Sequence, residues 1–239
     1  MLNIRTIACA AFLGLGLSSC SDYLDCPTED TYNTGNYYKD DNQCRAGVNY
    51  LYNSPWYDFQ RGFFKVGEVL SGNFYWGGSP YLTFTLDGSD QDLANMSAAL
   101  WSVNTHASTV MANIKGSTGP SQAVKNYSTG ECLVWKSMAY FYLVRSFGAV
   151  PIINDPVEII NNQTATKQRK AKISNIYDYI VMMLKQAIEL LPEKDTTKKG
   201  RIDKYAAKGL LAKVYLTKAG FSEENTTYTP GSYSYITCT

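Results

Sequence analysis

The residues with the most chemical potential in this chain are aromatic. The stretch from Asn73 to Asp92, NFYWGGSPYLTFTLDGSDQD, sets Phe74, Tyr75, Trp76, Tyr81 and Phe84 among Gly77, Gly78, Pro80 and Gly88, which forbid a regular helix. Flat rings on loop backbone near the surface make a stacking platform. The C–H face of a sugar ring packs on such a ring, and neighbouring Asn, Asp or Arg side chains bond its hydroxyls. Asn73, Tyr75, Trp76 and Tyr81 are the candidate ligand-binding residues on this reading. The competing reading is that the same rings plug the loop onto the body of the protein. Asp87, Asp90 and Asp92 suggest a calcium loop but miss its order, because Gly88 is misplaced and Ala98 stands where the twelfth-position Glu belongs. No metal site is assigned.

Other chemistry is thin. His106, the one histidine, falls on a predicted helix and reads as a residue satisfied by a partner rather than as a base. There is no nucleophile elbow, phosphate-cradling Gly loop or His-based metal motif, and a glycosidase would need two carboxylates at a separation that sequence does not display. The reading is a binding protein: not an enzyme, and with no cofactor. A net charge of +1 in 239 residues, without long basic runs, argues against a nucleic-acid partner. Nineteen Tyr, with nine Phe and four Trp, instead suit surfaces that stack on amphipathic ligands.

One thiol has a specific chemistry of its own. Arg5 supplies a minimal positive region, Ile7 to Leu17 is an apolar run, and Leu17-Ser18-Ser19-Cys20 closes it as a lipobox. Residues 1–19 are thus expected to be a lipoprotein signal peptide, and Cys20 the lipidated N-terminus of the mature chain, held on a membrane without a transmembrane helix. Ser21 after Cys20 favours outer-membrane sorting in a Gram-negative cell. Cys9 leaves with the signal. Cys26, Cys44, Cys132 and Cys238 remain, with no C-x-x-C pair, and are expected to act as buried small hydrophobes, their disulfide state left open.

The elements that must position the aromatic loop are helices. From Glu131 to Phe147 nearly every residue is apolar, with charge only at Glu131, Lys136 and Arg145, so this helix is expected to be packed on several sides. It is too short and too interrupted by charge to span a membrane. Gly148 is placed for a left-handed C-cap and Pro151 for a stop. Residues 20–40 read as lipidated N-terminus and polar tether. Asp41 is expected to cap a helix with an apolar face of Cys44, Val48, Leu51 and Tyr52, ended by Asn53-Ser54-Pro55, and a short helix is expected over 63–70. Helical periodicity resumes at Asp92 with Leu93, Met96, Leu100 and Val103 on one face, and Gly116, Gly119 and Pro120 break it. Asn161 to Lys172 reads as an exposed polar connector. Ser174 is expected to cap a helix with Ile176, Ile180, Met183, Leu184, Ala187, Leu190 and Leu191 inward, halted by Pro192. Glu193 to Arg201 reads as a charged turn. Asp203 then caps a helix with an inner face of Ala206, Ala207, Leu210, Leu211, Val214 and Tyr215, ending at Gly220.

These last helices have a tetratricopeptide-like pattern. Ala187-x-x-x-Leu191-Pro192 suits the end of one repeat, and Ala207-x-Gly209-x-Leu211-x-x-Val214-Tyr215 suits the small-residue first helix of the next, where close backbone approach is expected. Gly148 and Gly220 end comparable helices about two periods of roughly 34 residues apart. The fold class is therefore all-α, helical hairpins of tetratricopeptide type with long irregular loops.

Five stretches taken together resemble one family. They are Cys20-Ser-Asp-Tyr-Leu-Asp-Cys-Pro27, Trp101 through Ala112-Asn113, Gly130-Glu131 through Arg145-x-Phe147-Gly148-x-Val150-Pro151, Ile176-Tyr177-x-x-Ile180 to Ala187-x-x-Leu190-Leu191-Pro192, and Gly200-Arg201. In colinear order they look like the SusD/RagB family of nutrient-binding outer-membrane lipoproteins of Bacteroidetes. The resemblance implies a helical body, residues 41–220, that binds glycan or other nutrient oligomers at the cell surface. It also implies delivery to a SusC-like TonB-dependent transporter, with no chemistry done on the ligand. Family members continue beyond this point, whereas residues 221–239 read as an irregular polar tail, so the chain is expected to be a C-terminally truncated form, whether by fragment, gene or shortened relative. The alternative from the residues alone is a tetratricopeptide-type adaptor that binds protein only, with the aromatic loop part of that interface.

Overall fold

The structure, a computed structural model, describes residues 37–194 and 200–226. Lipidation at Cys20, the tether over 20–36, Cys26, Cys238 and the end of the tail lie outside the described residues. Among the described residues there is no strand, and no helix is long and apolar enough to cross a membrane.

Two 26-residue helices form the centre. The first, α5 (Gln91–Gly116), starts where the Asp90 carboxylate accepts the Leu93 amide at 2.8 Å, and stops where the Ser117 hydroxyl closes back on the Ile114 carbonyl. The second, α6 (Gln122–Phe147), is capped by Ser121 and thus begins nine residues before the apolar run that announces it. Only five residues link them, so they pack side by side, and Met96, Leu100, Val103 and Ala107 of α5 are fully buried. On its other sides α6 meets α8 (Ile173–Leu190) and the short α1 (Asp41–Gly47), which is the multi-sided packing its composition demands. Tyr140, Phe141 and Leu143 are wholly or almost wholly buried, each stabilising the fold by roughly 1.5–3 kcal/mol through area removed from water.

The rest stacks outward in chain order. Helix α3 (Trp56–Phe64) covers α5, and α9 (Lys204–Thr226) covers α8, with α2 (Tyr50–Asn53), α4 (Pro80–Thr83) and α7 (Pro156–Asn161) filling the corners. Close approach is set by glycine at the crossings. A Cβ at Gly62 of α3 would lie 2.4 Å from the Asp92 carbonyl oxygen, and one at Gly130 of α6 would lie 2.8 Å from Cγ of Leu191.

Several local expectations are corrected. Asp40, not Asp41, caps α1 by accepting the Gln43 amide at 2.9 Å; the Asp41 carboxylate instead accepts the Ser121 amide and hydroxyl at 2.6 and 2.9 Å, tying α1 to the start of α6. Ser174 is inside α8, whose cap residue Lys172 uses no side chain. Gly148 has φ +70° but ψ −130°, so it ends α6 with a positive φ outside the left-handed helical well. Gly209 makes no close approach, since a Cβ there would meet nothing within 4 Å. The predicted inner face of α9 holds only at Ala207 and Val214; Leu210 and Leu211 are half-buried, while Ala206 and Tyr215 are exposed. The cause is that α9 has one principal neighbour, α8, so one stripe of it is covered. Arg201, read as part of a charged turn, is half-buried and pairs with Glu131.

Candidate functional site

The aromatic loop is built against α3, a helix that begins seven residues earlier than expected. Pro55 stands just before it, where a missing N–H costs nothing, and Trp56 packs across Phe59 and Trp135. At Lys65 the helix loosens into a π-helical turn over Lys65–Val69, closed by the Leu70 amide on the Lys65 carbonyl at 2.9 Å. Such turns are rare and cluster at functional sites. Gly72, at φ +80°, ends it and sends the chain back over the helix, where Asn73 donates from Nδ2 to Glu68 Oε2 at 3.3 Å.

The return brings Trp76 over the last turns of α3. Between them lies a cleft of about 430 Å³ lined by Gln60, Arg61, Phe63, Phe64, Lys65 and Trp76, a size within the usual range for small-ligand sites. Phe64 meets Phe74 edge-on at 5.1 Å and Trp76 at 6.2 Å, and Lys65 Nζ sits 5.5 Å from the Trp76 ring centroid. Trp76 is 42 % exposed, so one part of its ring is braced and the rest is open to a ligand. Behind Lys65, its Nζ pairs with Asp92 Oδ2 at 2.5 Å, while Arg61 Nε stands 3.5 Å from Asp92 Oδ1.

The four sequence candidates separate on this frame. Trp76 lines the cleft. Tyr75 is 80 % exposed and is not among the residues lining it, and Asn73 serves to fasten the loop. Tyr81 is corrected from surface platform to core: it is fully buried, and its hydroxyl donates to Asp90 Oδ1 at 2.7 Å. Pro80 opens α4 at the first helical position, and Tyr81 follows it on a short helix rather than on open loop. Burial, then the Asp90 carboxylate, push the Tyr81 phenol well above its ordinary range; burial works against the Asp90 charge, but bonds from Tyr81 and the Leu93 amide hold its carboxyl low. Asp87 is taken up by Ser89 and Asp92 by Lys65, so these acids complete local structure. His106 donates from Nε2 to the Gly47 carbonyl at 3.0 Å and packs on Tyr50.

Gln60, Arg61, Phe63, Phe64 and Lys65 are not among the sequence candidates: Gln60 and Arg61 precede the helix expected over 63–70, and the other three fall inside it rather than in the aromatic loop. Begun at Trp56, it places Gln60 with Phe64 and Arg61 with Lys65 at i, i+4 on one side, a legible pattern of rings and donors. Chemically the cleft offers flat apolar faces and side-chain N–H donors; none of its six lining residues carries a carboxylate or imidazole.

Comparison with known proteins agrees with this helical frame. The family described as starch-binding, associating with outer membrane (SusD-like) matches residues 86–216, which begins just after the cleft-forming segment. A SusD-like protein of Bacteroides ovatus is 30% identical over 230 residues, 94% of this chain and 41% of that protein. A crystal structure determined with xylogluco-oligosaccharide is 29% identical with TM-score 0.67, over 74% of this chain and 35% of that one. A SusD homolog from Bacteroides thetaiotaomicron shares the fold at 21% identity and TM-score 0.65, over 80% of this chain and 39% of the other. The chain thus spans about two fifths of the curated relative it matches. With the matched segment running from the start of the central pair of helices into the last one, this chain belongs to the SusD-like family.

Proposed function

We propose that this chain binds oligosaccharides or similar nutrient oligomers by stacking them on Trp76 in the α3 cleft, without chemistry on the ligand. In this reading a lipid on Cys20 holds it at the outer membrane, exposed at the cell surface, and the ligand passes to a SusC-like TonB-dependent transporter. The observation that carries the reading is the half-open Trp76 ring, braced by Phe64 and Phe74 and faced by the donors of Gln60, Arg61 and Lys65. The family's description as starch-binding and outer-membrane-associated supports it, as does the relative crystallised with xylogluco-oligosaccharide. Tyr75 and Asn73 act at the rim, and Tyr81 holds the loop from beneath.

Calorimetric titration with malto- and xylogluco-oligosaccharides tests this. Removing one stacking face, in Trp76→Ala, is expected to weaken binding about three- to tenfold. Unchanged affinity in that variant removes Trp76 from the site. Co-purification of a large barrel with the acylated chain from outer membranes tests the transporter arm, and recovery of an unacylated chain from the cytosol sinks the anchor.

A further inference from the structure

The cleft has a charge that a neutral sugar does not need. Its only charged lining groups are the Arg61 guanidinium and the Lys65 ammonium. Both look to a single carboxylate, Asp92, and they share it unequally: Lys65 holds it at 2.5 Å, whereas Arg61 Nε stands 3.5 Å from it. The Arg61 side chain is 69% exposed. The other nearby acids, Asp58, Glu68 and Asp90, do not line the cleft. Asp90 accepts from Tyr81 and from the Leu93 amide, and Glu68 from Asn73. What the mouth offers is the exposed Nη1/Nη2 edge of a guanidinium beside an aromatic wall, the geometry that pairs with a planar carboxylate or a sulfate rather than with a lone hydroxyl.

We infer that the cleft takes an acidic oligosaccharide, one whose sugar ring stacks on Trp76 while its carboxylate or sulfate pairs with Arg61, Gln60 donating alongside. This rests on the glycan-binding reading above and narrows its substrate class. Lys65 is the fixed part of the device, locked to Asp92 beneath the Trp76 ring; Arg61 is the part free to engage the ligand.

The test compares tetragalacturonate with its methyl ester, which keeps the rings and removes the charge, by calorimetric titration of the chain at low and at physiological salt. The acid is expected to bind about fivefold or more tighter than the ester at low salt, with the margin shrinking as salt is added. Arg61→Gln also removes a donor that the neutral ester can use, so it should weaken both ligands, the acid more than the ester, and thereby abolish that margin; Arg61→Lys should restore part of it. Arg61 lies on the surface, so an unaltered circular dichroism spectrum is expected for the variants and verifies that the fold is retained. Equal binding of acid and ester, or an Arg61→Gln variant that keeps the margin, overturns the inference. If malto- or xylogluco-oligosaccharides bind through Trp76 while the acid has no advantage, the acidic class falls and glycan binding stands. If no glycan of either charge binds, both fall.

Discussion

Arg201 grips both oxygens of the fully buried Glu131, Nε to Oε1 at 2.7 Å and Nη2 to Oε2 at 2.9 Å, across seventy residues of chain. The Tyr52 hydroxyl adds a third bond to Oε1 at 2.6 Å and itself accepts the Ile202 amide, while Arg201 Nη1 donates to Asn49. One carboxylate in the middle of α6 therefore fastens α2 and the segment leading into α9. Arg201→Ala leaves that carboxylate buried without its cation, and the expected loss is about 3–5 kcal/mol in urea unfolding. A loss under about 1 kcal/mol would mean water reaches Glu131. The double change Glu131→Leu with Arg201→Met should cost far less than Arg201→Ala alone.

Lys136 predicts a pH effect. Its ammonium is buried between α5 and α6, donating to Ser108 Oγ at 2.8 Å and to the Ile153 carbonyl at 3.2 Å, with the Tyr179 ring at 5.9 Å and Asp155 as the favourable charge. Burial lowers its pKa to about 8, against 10.5 for an ordinary lysine. Between those values the unfolded chain holds the proton and the folded chain has released it, so this residue's contribution to stability rises with pH, by about 2.5 kcal/mol from pH ~8 to ~10. The buried thiols of Cys44 and Cys132, pushed up by burial, act the opposite way once unfolded thiols ionise near 9.0. The readout is accordingly the difference between wild type and Lys136→Met, which should drift toward the wild type across that window; a constant difference would refute the assignment.

Two glycines should respond with opposite signs. Gly62→Ala drives a methyl into the Asp92 backbone and Met96 Cβ, 2.4 and 2.6 Å away, and should cost about 1–3 kcal/mol while pushing α3 and its cleft off α5. Gly209→Ala adds a methyl in open space on α9 and should gain about 0.5–1 kcal/mol from helix propensity alone. Thermal unfolding of the pair decides it.

Tyr81 and Trp76 should separate stability from binding. Tyr81→Phe deletes a bond to the Asp90 carboxylate, at an expected cost of about 1.5–3 kcal/mol, yet leaves glycan affinity within error. Trp76→Ala should show the reverse weighting. A Tyr81→Phe variant that loses affinity at unchanged stability would return Tyr81 to the binding surface.

Much of the frame is legible from residue order. The greasy run from Glu131 to Phe147 demands neighbours on several sides, the stripes of α5 and α8 follow the helical period, and His106 and the Asp203 cap sit as read, the latter accepting the Ala206 amide at 2.8 Å. These succeed because burial of a periodic stripe is a local pattern with a strong free-energy consequence. Trp76 is legible as an exposed ring in an irregular loop for a different local reason, since Gly and Pro report backbone conformation directly.

What residue order alone determined, then, is which segments are helical, which faces are apolar and that a ring-rich loop interrupts them. Tertiary structure alone decided that Arg201 leaves its charged turn to neutralise Glu131, that Tyr81 turns inward to Asp90, and that Gln60, Arg61 and Lys65 meet Trp76 around a cleft. Each of these joins residues on separate elements or across a chain reversal. Their pairing depends on how helices cross and where Gly72 folds the loop back, and neither quantity is written in the spacing of residues along one helix.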